Sequence, residues 1–435
     1  MLKIGDKKLI SAWAFYDWAN SVYSLVISTA VFPIYYSSMT ESFQNMEGKV
    51  TFLGTQWDPT TLYDYTLAFS FLIVAFMSPI LSGIADYKGN KLNFLKGFCL
   101  LGSLSVMSLF FFDGETTLWV AILFTILASI GFWGSIVFYN AYLPEVAHPE
   151  DQDRVSAKGF INGYVGSILL LIVCLVLVEM HDTFGLDKGL ATRITFVLVG
   201  LWWLGFAQIT YKKLPNHKRE HAKDEKVFWK GLNELKIVLK ELKHQPTLKK
   251  FLISFFLFSI GVQTIILMAG IFGSKELELE TSELIAAILL VQFVAIAGAA
   301  LFSRLSKKKG NIFALKITIL VWMLVCFSAF MLNKDQENVN LYFYGLGGLI
   351  GLVMGAIQSL SRSTYSKMLP ETEDHATYFS FYDVAEKIAI VIGMLTFGVL
   401  NSLTGSMQWS VLCLAIFFLA SFVVISTMKK TEHVH

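Results

Sequence analysis

Asp17 lies inside the first apolar segment of the chain, in Trp13-Ala-Phe-Tyr-Asp-Trp-Ala-Asn-Ser21. An ionisable group at membrane depth costs roughly 2.5–3.5 kcal/mol on insertion scales, so it persists where it faces water, a partner or a solute path. Trp13, Asp17, Asn20, Ser24 and Ser28 fall on one face of a helix. A polar stripe of this kind suits a cavity lining. A second charged set, Asp383, Glu386 and Lys387, sits in another apolar segment. Asp383 and Lys387 are i, i+4 neighbours and can pair, which lowers the cost of carrying them into a membrane. Glu386 is then left to meet Arg362 or Lys158, or to exchange a proton. A plain salt-bridge cluster at the inner mouth is the alternative reading.

The remaining polar candidates are neutral: Asn20, Ser24, Asn140, Asn162, Gln263, Gln292 and Gln358. Amides both donate and accept, which fits a small polar or zwitterionic solute better than a polyanion needing an arginine-rich pocket. About half of them are expected to be ties between helices worth ~0.6–2 kcal/mol each. The aromatics Trp133, Tyr139, Trp202, Trp203 and Phe258 read as packing or interface anchors.

Other chemistries find no support. The eight histidines all fall in loops or the tail, so no span offers an imidazole to a haem, a metal or a proton relay. His217 and His221 have helical ligand spacing but read as solvated linker residues. The four cysteines, Cys99, Cys174, Cys326 and Cys413, fall in apolar segments at unrelated spacings, against both a disulfide framework and a metal site. No phosphate-binding loop argues for ATP hydrolysis. No cofactor is expected, although protons are candidate coupling ions. The net charge of +2 gives no reason to expect a nucleic-acid partner.

Elements that position these groups are read from composition. The 435 residues are 55% hydrophobic and 16% charged, too apolar for an ordinary soluble protein. Windows long enough to cross a hydrocarbon core of ~30 Å recur throughout. Twelve spans are predicted, at 10–36, 62–85, 93–112, 118–143, 157–179, 191–211, 250–273, 283–303, 312–332, 341–361, 377–402 and 408–428. The expectation is an all-α membrane protein of two six-helix bundles. The first span is expected to stay in the mature protein, because Asp17 and Asn20 interrupt any signal-like core. With both ends inside, the inner segments hold 29 of the 35 Lys and Arg and the outer loops five. A cell-membrane protein with cytoplasmic termini, embedded in lipid and monomeric, is the reading.

Two related halves are joined by a basic connector: an N-terminal bundle (1–211), a linker (212–249) and a C-terminal bundle with a short tail (250–435). In the linker Phe228, Leu232, Leu235, Leu239 and Leu242 recur at helical steps among lysines, which predicts a brace lying on the inner membrane surface. Leu143-Pro144-Glu145 is echoed 226 residues later by Leu369-Pro370-Glu371. The loop Gly83 to Lys91 is echoed by Arg304 to Gly310. Gly347, Gly351 and Gly355, and likewise Gly159 and Gly163, make smooth surfaces for close packing or sliding. Pro33 and Pro79 are candidate kinks.

Gly83-x-x-Asp86-x-x-Gly89-x-Lys91 resembles the signature between helices 2 and 3 of major facilitator superfamily transporters. Tyr16-Asp17-Trp18-Ala19-Asn20-Ser21 resembles the hallmark of one branch, that of the autophagy-related vacuolar amino-acid effluxer. The likeness continues in Phe138 to Glu145, Arg154 to Gly159, Gln358 to Ser363 and Phe381 to Asp383, so it spans the chain. It departs at Lys307, where the duplicated loop would carry an acid, and in the net acidity of the loop holding Arg154. The resemblance implies a conformational latch at Gly83, Asp86, Gly89 and Lys91. Asp86 would dock on the positive N-terminus of a helix from the other half, that of the eleventh span. Glu145, Lys158 and Arg362 are inner-gate candidates. The implied activity is secondary transport of an amino acid or related metabolite, outward or out of a compartment, by rocking of one half on the other. Proton coupling would run through Asp17 or the Asp383, Glu386 and Lys387 group. A receptor or scaffold that keeps the bundle without transporting is the competing class, and its expected soluble signalling domain is missing. A membrane enzyme ranks third.

Overall fold

The computed structural model describes residues 3–216 and 227–428. His217, His221, His433 and His435 lie outside them. The described residues form helices α1 (Lys7–Glu41), α2 (Pro59–Lys88), α3 (Lys91–Phe111), α4 (Glu115–Asn140), α5 (Pro149–Glu179) and α6 (Lys188–Tyr211). A shorter helix α7 (Val227–Lys243) follows. Then come α8 (Pro246–Glu276), α9 (Thr281–Lys309), α10 (Asn311–Met331) and α11 (Val339–Met368), α12 (His375–Thr404) and α13 (Met407–Ser426). Eleven of them are long and apolar enough to cross a membrane. The other long helix, α12, has 30 residues and carries Asp383, Glu386 and Lys387. The protein is an all-α membrane protein.

Local chemistry fixes the ends. Asp58 caps α2 by accepting from the Thr61 amide at 2.8 Å, and Pro59 occupies the first turn, where its missing N–H costs nothing. α2 stops at Gly89, which takes a left-handed conformation, φ 63° and ψ 30°. A side chain there would be strained, which accounts for glycine at the tight turn into α3.

Proline at 79 leaves α2 one continuous helix. The interruption falls in α1, where Tyr23–Val31 winds as a π-helix just before Phe32-Pro33. Pro33 cannot donate to the preceding turn, and a wider register relieves the clash. Thr29 Oγ1 donates to the Ser24 carbonyl at 2.9 Å across this segment. The loop between α1 and α2 contains a feature absent from the sequence reading, a hairpin pairing Val50–Phe52 with Thr55–Trp57.

The glycine stripes pack helices of the same half. Gly159 and Gly163 of α5 lie against Asp17 and Ser21 of α1, and Gly351 and Gly355 of α11 against Val291 and Ala295 of α9. Of the two readings, sliding and static packing, the positions favour static packing, since the nearest neighbour of each of these glycines belongs to its own half; Gly159 alone also faces the other half, at Arg362 Nη2. Tighter than the stripes is Gly298 of α9, where any Cβ would run into the Leu352 carbonyl of α11. Gly298→Ala is therefore expected to destabilise by at least ~1–3 kcal/mol. The check is the melting temperature of the purified protein in detergent; wild-type melting would mean that α9 and α11 have room to part.

The two halves meet along two seams. α2 packs on α12, and α5 packs on α9 and α11. Between the halves in sequence, α7 lies on α2, buries Val238, and Glu241 Oε2 accepts from the Tyr378 hydroxyl of α12 at 2.8 Å. The side chains of Phe228 and Leu232 are outside the described set.

Candidate functional site

The end of the bundle where α2 turns into α3 is called the inner end below. Asp17, one carboxylate of α1, is 6% exposed and receives three hydrogen bonds on Oδ2. The Tyr139 hydroxyl of α4 donates at 2.8 Å. Nη1 and Nη2 of Arg362, from α11 in the opposite half, each donate at 3.2 Å. The same guanidinium donates from Nε to Ser156 Oγ at 2.9 Å, from Nη2 to the Ser156 carbonyl at 2.8 Å, and from Nη1 to Asn140 Oδ1 at 3.3 Å. Its Cζ also lies 4.2 Å from the Phe160 ring centre and 4.9 Å from that of Trp13. A buried ion pair survives only when its remaining donors are satisfied, and here every nitrogen of Arg362 has a partner. Gly159 is required beside it, because a Cβ would collide with Asp17 Oδ2.

Nearer the inner surface, Asp86 reaches across to the start of α12. Its carboxylate accepts from the Ala376 amide at 3.3 Å, the Thr377 amide at 2.7 Å and the Thr377 hydroxyl at 2.8 Å. Those amides are the unpaired donors of a helix N-terminus, where a carboxylate is most stabilised. Lys91 pairs with Glu145, and His375 Nδ1 lies 3.1 Å from Glu145 Oε1. Burial on its own would push the Glu145 carboxyl up. The Lys91 ammonium and the His375 hydrogen bond override it and hold the group down at about 2. A depressed carboxylate stabilises the folded state fully above its ordinary value of 4.5 and loses that contribution only as pH falls toward about 2. In this arrangement Glu145 is held as an anion beside Lys91.

Toward mid-membrane, α12 carries the third cluster. Lys387 Nζ lies 3.1 Å from Asp383 Oδ1 and 3.0 Å from Glu386 Oε2, so the i, i+4 pair forms and Glu386 joins it. The expectation that Glu386 meets Arg362 or Lys158 is not met: Arg362 is held by Asp17, and Lys158 Nζ donates to Ser11 Oγ at 2.7 Å. Glu386 instead accepts from Gln263 Nε2 of α8 at 2.7 Å. Lys387 stands 3.5 Å above the Trp133 ring of α4, so the ammonium bridges the halves by a cation–π contact.

The amides divide as their chemistry allows. Asn162 donates to the Ala14 carbonyl at 3.2 Å, a tie between α5 and α1. Gln358 accepts from the Tyr164 hydroxyl at 3.0 Å across the halves. Asn20 is 1% exposed and its Nδ2 has no hydrogen-bond partner among the described residues. Ser24 is exposed and Gln292 half-buried. Sequence reasoning missed Ser156, a partner of the buried pair, and read Tyr139 and Trp133 as packing or interface anchors. Nothing local marks an aromatic as a cation platform.

A family model described as vacuole effluxer Atg22-like matches residues 5–433. An uncharacterized MFS-type transporter of Bacillus subtilis, YxiO, is 32% identical, the match covering 97% of this chain and 94% of that one. Autophagy-related protein 22-1 of Emericella nidulans is 22% identical over 94% of this chain and 88% of its own. Among solved structures, the proton:xylose symporter XylE bound to 6-bromo-6-deoxy-D-glucose superposes with a TM-score of 0.74 at 14% identity, over 98% of this chain and 96% of its own. The transporter FucP in the outward conformation gives 0.68 at 12% identity, over 98% of both chains. At such identities the structural likeness establishes the major facilitator fold.

Proposed function

Because this chain belongs to the vacuole effluxer Atg22-like family of major facilitator transporters, we propose that its solute is an amino acid or a related small zwitterion, exported by alternating access. The observation that supports this most is the Asp17–Arg362 pair, which joins the halves and is fully enclosed. With Asp86 on the start of α12 it holds the inner end shut, so the chain is in an inner-closed state. Opening inward must break both contacts. Gly83, Asp86, Gly89 and Lys91 then act as the latch, and Glu145 and Arg362 as the inner gate.

Net charge supports the solute class. Asp383 and Glu386 outnumber Lys387 by one, and Gln263, Gln358 and Asn20 supply amides, a set suited to an ammonium group or a proton but not to a polyanion. We place the protein in the cell membrane with cytoplasmic termini, from the distribution of its basic residues.

The test is flux into proteoliposomes of the purified protein, screened with amino acids, peptides, nucleosides and sugars. Amino-acid flux is expected; flux of sugars alone would sink the zwitterion reading. Asp17→Asn is expected to fold and to insert, yet to transport more slowly or with an altered pH dependence. Wild-type flux with an unchanged pH profile would remove Asp17 from the mechanism.

A further inference from the structure

The duplicated inner loop lacks the acid that the first loop carries at Asp86, and Lys307, which takes the expected place, is exposed. The acid is present nevertheless, contributed from the other side. Asp153, at the start of α5 in the first half, is 4% exposed and points into the turn between α9 and α10. Its Oδ2 accepts from Ser306 Oγ at 2.6 Å and from Lys367 Nζ at 2.8 Å; its Oδ1 accepts from Asn311 Nδ2 at 2.7 Å. Lys367 also donates to Asn311 Oδ1 at 3.1 Å, and Asn311 Nδ2 reaches Thr364 Oγ1 at 2.9 Å. The Lys367 and Asp153 side chains are 1% and 5% exposed.

All of these donors belong to the second half. The contact spans the α5–α9 seam, as Asp86 spans the α2–α12 seam. We propose that Asp153, Ser306, Asn311 and Lys367 form a second gating clamp, in which the acid and the loop have exchanged sides relative to the first. These are positioning residues: they touch no solute path but set the energy of the closed inner end.

A charged group buried with three donors contributes more than a neutral hydrogen bond, and its loss leaves an unpaired ammonium behind. Opening inward must expose all four side chains to water together. The clamp therefore biases the population of the inner-closed state while leaving solute contacts untouched.

The experiment reads the gate directly. Ser359 of α11 is 1% exposed, and its carbonyl accepts from Ser156 Oγ at 2.8 Å in the seam that the clamp covers. Ser359→Cys is introduced into the full chain with Cys413→Ser, and its rate of modification by N-ethylmaleimide is measured in membranes. Asp153→Asn and Lys367→Met are each expected to raise that rate about tenfold, and the milder Ser306→Ala about threefold, for the loss of hydrogen bonds to a charged group. The exchanged pair Asp153→Lys with Lys367→Asp is expected to bring the rate back toward the parent, since Asn311 can present either its amide or its carbonyl. Unchanged labelling in Asp153→Asn and Ser306→Ala, with melting temperatures near the parent, would overturn the clamp. An exchanged pair as open as the single variants would do the same. If Asp153→Asn fails to fold, Ser306→Ala decides. The proposal rests on the alternating-access reading, but the labelling rate does not depend on which solute is carried, so failure of the amino-acid reading would leave its outcome standing.

Discussion

Arg362→Met is expected to cut solute flux in proteoliposomes by roughly a hundredfold or more. Removing one partner of a buried ion pair costs on the order of 3–5 kcal/mol, because the other charge is left without compensation. Here that charge is Asp17, 6% exposed and keeping only the Tyr139 hydroxyl as a donor. The cost falls on the inner-closed state alone, since opening inward returns Asp17 to water. Each 1.4 kcal/mol is a tenfold change in population, so the closed state becomes rare and the cycle stalls with the inner end open. The double variant Asp17→Asn with Arg362→Gln removes both charges and leaves neutral groups that can hydrogen-bond. It should recover a substantial part of the flux. Full flux in Arg362→Met, or no recovery in the double variant, would show that the pair is not the element that holds the gate.

Lys387→Met should be the most destabilising single change along α12. It removes the ammonium shared by Asp383 and Glu386, which lie three residues apart on one helix face, and leaves two acids confronting each other. The loss of the cation–π contact with Trp133 adds to this. A cost of about 3–5 kcal/mol is expected for a buried charge stripped of its partner, read as a lower melting temperature and poor yield of monodisperse protein. A second change, Asp383→Asn, should restore stability by halving the uncompensated charge. Recovery of stability without recovery of flux would assign the cluster to solute or proton binding, and recovery of both would make it a structural brace. A Lys387→Met protein as stable as the parent would mean that this site is open to water.

What the sequence disclosed follows from how far each signal reaches. Spans were legible because a membrane demands ~20 apolar residues in a row, a wholly local property. The docking of Asp86 on the start of α12 was legible through the resemblance of its loop to the major facilitator signature, and the affinity of a carboxylate for a helix N-terminus allows it. The partner of Asp17 was not. Arg362 lies 345 residues away, and Lys158 or Lys387 satisfied the same charge rule. Only the packing of α1, α4, α5 and α11 selects among them. The glycine spacing announced close approach but not its owner, and the nearest partners proved to be within a half, with Arg362 beside Gly159 the exception. The π-segment in α1 had a trace in Pro33, read as a candidate kink. Asp153 was signalled by an absence, the missing acid at Lys307, which shows that a broken repeat can point to where its compensation lies.

At Asp17, Asp86, Glu145 and Asp153 the first half offers a carboxylate, and at Arg362, the start of α12, His375 and Lys367 the second half offers the donor. A homodimer of the first half would bring anion against anion at these places, and a homodimer of the second would set donor against donor, with Arg362 and Lys367 cation against cation. Whatever ancestral symmetry the duplication had, the present inner faces fit only one another. Expressed as two separate polypeptides, they should assemble as a mixed pair and never as two of a kind.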